Sequence, residues 1–320
     1  MQATAIAQPN IALIKYWGKR DVDRNLPAVG SISITLSELH TNVSVELNDS
    51  MSDDVLVVNG AESQMMLPRI SRCLDTVMGK RRSRACVTSD HNFPIAAGLA
   101  SSASAFAATT VAAAAAANLS LNTQELARLA GASSGSAARS LYGGFAELRN
   151  SKDAIDLTSL CDIDDWPLQI VVAITQTAAK PTSSSEAMEI SRQTSPFYDS
   201  WIEQQGHDLD VARNAISQRD FSQIATIAEH NCLKMHSVMW ASRPPMVFWN
   251  SATIRCLQTV RRLQGEGCNV FFTIDAGPQV KAVCLPDDVE AVRDALAATP
   301  GVQKIMTSGL GPAARLVSPR

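Results

Sequence analysis

The stretch Phe93-Pro-Ile-Ala-Ala-Gly-Leu-Ala-Ser-Ser-Ala-Ser-Ala-Phe-Ala-Ala108 determines how the rest of the chain is interpreted. It predicts a loop that enters a helix, because Gly98 can adopt backbone angles that other residues resist, and Ser101 or Ser102 can cap the first turn. Small side chains would let a bulky anion reach the N–H groups at the positive end of the helix dipole. The stretch therefore predicts either a phosphate-binding loop or a tightly packed alanine-rich helix with an ordinary serine cap. The lysine of a G-x-x-x-x-G-K-[ST] loop is absent, which excludes a P-loop NTPase.

The composition is that of a globular protein without a strong electrostatic field. Of the 320 residues, 46% are hydrophobic and 18% are charged, and the formal net charge is −3. This length allows one large or two medium domains. Without an excess of positive charge, we expect neither nucleic acid nor a membrane surface as a partner. Binding of phosphates must then depend on a few individually placed cations.

No targeting segment, membrane span or metal site is predicted. The N-terminus lacks a cationic start followed by an apolar segment, and the longest apolar tract is shorter than the roughly 20 residues that span a bilayer. The seven cysteines are scattered, without C-x-x-C spacing, and the five histidines show no metal-ligand spacing. We therefore expect free thiols in a reducing, cytoplasmic environment.

The periodicity of apolar residues predicts an α+β fold in two domains. Alternating segments at 31–36 and 41–47 predict strands, as do segments at 168–175, 269–274 and 280–285. Four helices are predicted within 197–264, and their predicted ranges are 197–205, 209–217, 221–239 and 246–263. The change from a strand to a polar loop and then to a long helical region predicts a boundary near residue 180. The predicted domains are residues 1–180 and 181–320.

Four loops contain the residue types that phosphoryl transfer requires. They are the cation-rich turn at 15–20, the glycine-serine loop at 98–104, the hydroxyl-rich loop at 133–139 and Asp275-Ala-Gly-Pro278. Hydroxyls and N–H groups bind phosphates, cations stabilise the developing charge, and a carboxylate can deprotonate the attacking hydroxyl. Individually, each loop has an ordinary explanation as a solvated charge run, a linker or a turn. Together they favour a phosphoryl-transfer site.

Four motifs also occur in the order and approximate spacing of a known family. They are Asn10-Ile-Ala-Leu-Ile-Lys-Tyr-Trp-Gly-Lys19, Asn92-Phe-Pro-Ile-Ala-Ala-Gly-Leu-Ala-Ser-Ser102, Gly135-Ser-Ala-Ala-Arg-Ser-Leu-Tyr-Gly-Gly144 and Phe272-Thr-Ile-Asp-Ala-Gly-Pro278. Through them nearly the whole chain resembles the diphosphomevalonate decarboxylase family of the GHMP kinase superfamily. The resemblance implies a GHMP kinase fold, with a ribosomal-protein-S5-like N-terminal domain and an α/β C-terminal domain. It places the active site in the cleft between them.

The resemblance implies an activity in the mevalonate pathway of isoprenoid biosynthesis. With ATP and Mg²⁺, mevalonate 5-diphosphate would be converted to isopentenyl diphosphate, ADP, phosphate and CO₂ after phosphorylation of its tertiary 3-hydroxyl. Phosphate is a better leaving group than hydroxide. When phosphate departs, positive charge develops at C3. Loss of the carboxylate as CO₂ neutralises this charge. The family's habit also implies a homodimer.

The resemblance further implies roles for individual residues. Asp275 would deprotonate or orient the 3-hydroxyl beside Lys15, with Ser102 close to the transferred phosphate and Arg139 completing the catalytic set. The implied substrate-binding residues are Tyr16, Lys19, Arg69, Ser134, Ser136, Arg139 and Ser184. The implied ATP-phosphate residues are Ala97, Gly98, Leu99, Ala100, Ser101, Ser102 and Ser183. No residue is implied as a metal ligand.

One departure from the family pattern leaves other functions open. After Leu26-Pro27 the family commonly has an Asn and a further polar residue, whereas this chain has Val29-Gly30. The change removes hydrogen-bonding groups from the expected pocket, so a decarboxylase of mevalonate 5-phosphate is an alternative. A mevalonate 3-kinase is disfavoured because relatives of that type lack the Lys15 and Asp275 pair. A non-catalytic sensor is disfavoured because it would need no base.

Overall fold

The computed structural model describes residues 1–93, 101–178 and 182–317. Within these ranges the strands are β1 (Gln2–Ala7), β2 (Asn10–Ile14), β3 (Lys19–Asp21), β4 (Leu26–Pro27), β5 (Ser31–Thr35), β6 (Thr41–Asn48), β7 (Val55–Val58), β8 (Ala61–Glu62), β9 (Arg84–His91), β10 (Phe145–Asn150), β11 (Ile155–Cys161), β12 (Gln169–Ile174), β13 (Val270–Thr273), β14 (Val280–Cys284), β15 (Lys304–Ser308) and β16 (Arg315–Val317). The α-helices are α1 (Leu67–Met78), α2 (Ser101–Ala116), α3 (Thr123–Ser133), α4 (Ser184–Thr194), α5 (Tyr198–Gln218), α6 (Phe221–Trp240), α7 (Ser251–Gly265) and α8 (Val289–Ala297). Short 3-10 helices lie at Ala137–Leu141 and Pro286–Asp288. None of the helices in these ranges is both long and apolar enough to cross a membrane.

The strands form three larger sheets and a two-stranded hairpin. The first sheet has the order β16-β1-β6-β9-β7-β8, and within it β7 runs parallel to β9. The second sheet has the order β11-β10-β5-β2, and the third has the order β13-β14-β12-β15. Strands β3 and β4 form the hairpin. The predicted α+β class is confirmed.

The first sheet is covered on one face by α1 and α2, and α3 packs against these two helices. Val43 and Val45 of β6 are fully buried and alternate with partly exposed residues, as a half-buried strand requires. Helix α1 buries Ile70, Leu74 and Val77, whose spacing of three and four residues places them on one face. Burial contributes about 1.5–3 kcal/mol for each such aliphatic side chain. Alternation and helical spacing therefore predict this half of the fold well.

The second and third sheets share an apolar core with α5 and α6. Strands β2 and β5 are buried along their whole length. Their residues Ile14 and Ile32 belong to the same cluster as Val172 of β12 and Val283 of β14. This shared core holds the end of β2 beside the end of β13. Those two strand ends carry Lys15 and Asp275.

Sheet pairing interleaves the two halves of the chain. Strand β12 pairs with β14 and β15, whereas the C-terminal strand β16 pairs with β1. The pairing thus groups residues 169–174 with the C-terminal strands and residues 315–317 with the N-terminal sheet. The domain boundary near residue 180 stays a prediction.

Three of the helices predicted within 197–264 differ from the observed ones. Two helices were predicted where α5 is one continuous helix. Gly206 lies inside α5, and the helix tolerates it because a single glycine costs only about 1 kcal/mol. Helix α7 begins at Ser251 because Asn250 caps it: Asn250 accepts from the N–H of Thr253, and the Thr253 side chain accepts in return. Helix α3 begins after a capping box formed by Asn122 and Glu125.

Candidate active site

A cavity of about 320 Å³ brings together the predicted site residues that the structure describes. Those residues all line it, and they are Lys15, Tyr16, Lys19, Arg69, Ser101, Ser102, Ser134, Ser136, Arg139, Ser183, Ser184 and Asp275. The remaining predicted residues, Ala97, Gly98, Leu99 and Ala100, lie outside the described ranges. The lining residues come from segments far apart in sequence, so the fold assembles the cavity.

Asp275 is held by two lysines. Lys15 Nζ lies 2.7 Å from Asp275 Oδ1, and Lys281 Nζ lies 3.1 Å from Asp275 Oδ2. The lysine side chains are each 1% exposed, whereas that of Asp275 is 28% exposed and reaches the cavity. Burial would raise the pKa of Asp275, but the two ammonium groups outweigh burial and hold this pKa well below its usual range. Asp275 is therefore ionised at neutral pH.

The backbone of Lys15 is clamped by side chains of α5 and α6. The Lys15 N–H donates to Asn231 Oδ1 at 2.7 Å, and Gln205 Nε2 donates to the Lys15 carbonyl at 2.8 Å. Asn231 Nδ2 in turn donates to Gln205 Oε1 at 2.9 Å and to Asp208 Oδ2 at 2.6 Å. Because this network is buried and mutually hydrogen-bonded, it fixes the position from which the Lys15 side chain reaches Asp275.

Arg139 is a buried cation that lines the cavity. Its side chain donates to Asn10 Oδ1 at 3.2 Å and to Ser31 Oγ at 2.7 Å. Within the described ranges, no carboxylate lies within 4.0 Å of its guanidinium. Burial lowers the pKa of Arg139 to about 10, although Asp275 and Tyr16 act in the opposite direction. Arg139 thus remains charged at neutral pH, and an anionic ligand would complete its surroundings.

Lys19 and Arg69 add two more cations to the cavity wall. Lys19 Nζ donates to Ser185 Oγ at 3.0 Å, and the Arg69 guanidinium lies 4.7 Å from the centre of the Phe106 ring. Burial lowers the pKa of both side chains, and each is lowered further by a neighbouring arginine. Neither forms an ion pair with a carboxylate in the part of the chain that the structure describes. The cavity is therefore suited to a ligand with several negative charges.

Tyr16 contributes a buried hydroxyl to the cavity. Burial raises its pKa, so the phenol is neutral and can donate a hydrogen bond. Its hydroxyl has no hydrogen-bond partner among the described residues. Leaving such a group unsatisfied costs about 1–3 kcal/mol, which an acceptor on a ligand would recover.

The lack of a side chain at Gly135 leaves room for the Tyr16 ring, and this leads to a testable prediction. A Cβ atom added at Gly135 would lie 2.8 Å from both Cε1 and Oη of Tyr16. We expect Gly135→Ala to displace the phenol and to weaken substrate binding by about tenfold, the equivalent of one charge-assisted hydrogen bond. Steady-state kinetics would detect this as a higher KM for the anionic substrate.

Gly206→Ala is the matched control for that substitution. Gly206 lies within α5, and an added Cβ would meet no atom within 4 Å. We expect this alanine to leave KM unchanged and to stabilise the protein by about 0.5–1 kcal/mol. Equal KM values for the two variants would contradict the role of Gly135 in placing Tyr16.

The residues that depart from the family pattern do not line the cavity. Val29 is 4% exposed and packs in an apolar cluster with Trp17 and Trp201. A Cβ at Gly30 would lie 2.9 Å from both the Leu148 carbonyl oxygen and Leu209 Cδ1. The Val29-Gly30 pair therefore satisfies local packing.

Several lining residues and supports were not predicted from the sequence. The additional lining residues are Asn10, Ala12, Trp17, Asn25, Ser133, Gly135, Ser185, Met188, Met235 and Ala276. Asn10, Ala12, Trp17, Gly135 and Ala276 lie inside the four motifs, so the motifs contained a signal for them. Lys281 also had a signal, because it is the one charged residue in the strand Val-Lys-Ala-Val-Cys. Met235 on α6 had none.

The α+β fold and its cation-lined cavity belong to the GHMP kinase class. Residues 7–161 match the diphosphomevalonate decarboxylase-like N-terminal domain, and residues 170–310 match the mevalonate 5-diphosphate decarboxylase C-terminal domain. A curated relative, diphosphomevalonate decarboxylase of Saccharomyces cerevisiae, is 34% identical over 301 residues, which are 86% of this chain and 76% of the relative. The chain belongs to the diphosphomevalonate decarboxylase family, a family of ATP-dependent enzymes.

Solved structures agree with this assignment. Mevalonate diphosphate decarboxylase from Staphylococcus aureus has a TM-score of 0.93 and 33% identity, and the match covers 99% of this chain and 98% of that one. A second structure, described as MDDEF in complex with MVAPP, AMPPCP and magnesium, has a TM-score of 0.93 and 32% identity. That match covers 100% of this chain and 99% of the other. The predicted GHMP kinase fold is confirmed.

Proposed function

We propose that this protein catalyses the ATP-dependent decarboxylation of mevalonate 5-diphosphate. The products are isopentenyl diphosphate, ADP, phosphate and CO₂, and the reaction belongs to isoprenoid biosynthesis. The observation that carries the proposal is the pair of Lys15 and Asp275, 2.7 Å apart in a cavity with three further cations. Family membership and the neighbour complexed with MVAPP, AMPPCP and magnesium support it.

In the first step Asp275 accepts a hydrogen bond from the 3-hydroxyl and directs its oxygen at the γ-phosphorus of ATP. The oxygen–phosphorus bond forms as the bond to the ADP oxygen breaks, and the hydroxyl proton passes to Asp275. The low pKa of Asp275 makes it a weak base, which suits late proton transfer in a loose phosphoryl-transfer transition state. The main role of Asp275 is to orient the 3-hydroxyl, and Lys15 contributes by holding Asp275 Oδ1 in place.

In the second step the C3–O bond breaks and phosphate leaves with the electron pair. The bond between C2 and the carboxyl carbon then supplies the electrons of the new double bond, and CO₂ departs. Ala12, Met188, Met235 and Ala276 form apolar parts of the wall. Apolar walls reduce the access of water, which would otherwise capture the developing carbocation.

The remaining lining residues divide into two proposed sets. Cations and hydroxyls for the anionic ends of mevalonate 5-diphosphate are supplied by Tyr16, Lys19, Arg69, Ser134, Ser136, Arg139 and Ser184. Ser101, Ser102 and Ser183 would contact the ATP phosphates. Residues 97–100, which the sequence assigns to the same role, lie outside the described ranges. Helices α2 and α4 begin near these serines, and helix N-termini favour anions.

Magnesium fits this site as an ion that arrives with the nucleotide. Within the described ranges no cluster of three or more His, Cys, Asp or Glu residues could hold a metal. Magnesium usually keeps several waters and binds through substrate phosphates with few protein ligands. The hydroxyls of Ser101, Ser102 and Ser183 are the lining oxygens that would contact it. When bound, it would neutralise charge on the phosphates.

One assay tests the proposed function against its alternatives. Purified protein is incubated with ATP, magnesium and either mevalonate 5-diphosphate or mevalonate 5-phosphate, and ADP and CO₂ are both measured. Equal amounts of the two products with the diphosphate are expected. ADP without CO₂ would indicate a kinase, faster turnover of the monophosphate would indicate the sister decarboxylase, and neither product would indicate a sensor.

We further propose a cytoplasmic homodimer that binds neither nucleic acid nor membranes. The free thiols support a reducing compartment, since all seven cysteines lack a disulfide and four of them are buried. The net charge of −3 supports the lack of binding to polyanions. Light scattering coupled to size-exclusion chromatography tests the dimer, and a mass of one chain would refute it.

A further inference from the structure

Lys281 is a buried charge that the reaction described above does not use. It is the second residue of β14, a strand that is buried along its whole length. Its neighbours Val280 and Ala282 face one apolar cluster, and Val283, on the same face as Lys281, belongs to another. Strand pairing places Lys281 opposite Thr273, two residues before Asp275. A lysine at such a position loses its hydration, which is unfavourable without compensation.

The ion pair with Asp275 offsets some of that loss. Lys15 and Lys281 are two positive charges against one carboxylate, and they repel each other across it. Buried ion pairs seldom stabilise a protein better than apolar residues of similar volume do. The ion pair is therefore weak evidence that Lys281 serves only the stability of β14.

The two lysines differ in their access to the cavity. Lys15 lines it, and an ammonium group has three donors, of which Asp275 takes one. Lys15 can therefore also bind an incoming anion. Lys281 is not among the lining residues and contacts the other carboxylate oxygen of Asp275, Oδ2. When Lys15 turns towards an anionic substrate, the contact at Oδ2 still holds the carboxylate.

We propose that Lys281 is a positioning residue, which keeps Asp275 ionised and correctly oriented while Lys15 engages the anionic substrate. The inference rests on the proposed function. It extends that function by dividing the work of the two lysines. Lys281 acts through Asp275 and does not itself contact the reacting atoms.

Other titratable groups around Asp275 do not give the same signature. Arg139 keeps its charge at neutral pH, since its pKa of about 10 lies well above that range. His236 on α6 is neutral, because burial lowers its pKa to about 3. Cys232 on α6 is also neutral, since burial raises its pKa. Changes at acidic pH in a Lys281 variant therefore report Asp275.

The test is Lys281→Met, which removes the charge and keeps the length of the side chain. We expect kcat to fall by about tenfold to a hundredfold, as for coupled groups in contact, while the KM of each substrate changes by less than about threefold. Loss of an adjacent opposite charge raises a carboxyl pKa by about 1–3 units, so the acid limb of kcat moves to higher pH. Carbon-13 NMR of labelled aspartate, with the signal assigned by Asp275→Asn, should show the same shift without turnover.

Val283→Ala is the matched control on the same face of β14. It removes apolar contacts and lowers the melting temperature, but it should leave the acid limb unchanged. Lys281→Gln, which keeps a donor without the charge, replaces the methionine variant if that one does not fold. A Lys281 variant with the wild-type pH profile and NMR titration would overturn the proposal. If the wild-type protein releases no CO₂, the proposed function fails, whereas the NMR titration still decides the role of Lys281.

Discussion

Asp275→Asn is expected to reduce turnover by a factor of about 10²–10⁴ or more, while ATP binding stays near the wild-type level. Asparagine keeps the shape of the side chain but cannot accept the proton of the 3-hydroxyl. The serines assigned to the ATP phosphates belong to α2 and the start of α4, and Asp275 does not contact them through any described hydrogen bond. Calorimetry with ATP and the ADP and CO₂ assay measure the two effects separately.

The same substitution also makes stability depend on pH in a defined direction. Without Asp275, Lys15 and Lys281 are buried charges without their carboxylate, which costs about 3–5 kcal/mol. Burial already lowers the pKa of Lys281 from its usual 10.5, and loss of Asp275 would lower it further. Between the folded and unfolded pKa values the unfolded chain binds more protons, so the stability of the variant should rise with pH.

Asp208→Asn is the control for a buried carboxylate outside the cavity. Asp208 pairs with Lys234 at 2.7 Å and accepts from Asn231. The variant should lose stability and keep more activity than Asp275→Asn. A near-normal rate for Asp275→Asn would contradict the assignment of Asp275 as the base.

The sequence predicted the parts of the site that belong to short, chemically distinctive motifs. Lys15 directly follows an apolar strand, and Asp275 directly follows another, so their exceptional placement was visible before the fold was known. Periodicity predicted α1 and β6, because their burial depends on a repeating pattern. That Lys15 Nζ and Asp275 Oδ1 lie 2.7 Å apart is a consequence of the shared core, which no local pattern contains.

The supports of the site could not be predicted for the same physical reason. Asn231 and Gln205 hold the backbone of Lys15 across 216 and 190 positions of sequence. Nothing in α5 or α6 marks these amides as different from solvent-facing ones. Only tertiary packing makes them buried hydrogen-bond partners, which is why helical periodicity located the helices but not their role.

Arg139→Met is expected to reduce kcat/KM by at least about a hundredfold while leaving the free energy of unfolding within about 2 kcal/mol of wild type. Arg139 is buried beside the cavity without a carboxylate partner among the described residues, so its removal relieves an uncompensated charge. Against that gain, Asn10 and Ser31 lose a donor. These two contributions to the free energy of unfolding have opposite signs and partly cancel. Substrate binding, in contrast, loses a charged hydrogen-bond donor with nothing to offset it.

Arg82→Met is the comparison that gives this prediction its discriminating power. The Arg82 side chain is also 3% exposed, but it pairs with Asp54 at 2.5 Å and with Asp75 at 2.9 Å, remote from the cavity lining. Removing it leaves the buried carboxylate of Asp54 unpaired and should cost about 3–5 kcal/mol, with kcat/KM unchanged in the folded fraction. Denaturant unfolding and steady-state kinetics on both variants test the contrast. Equal losses of stability would show that Arg139 serves the fold, and that the positive charge of the cavity is not reserved for a ligand.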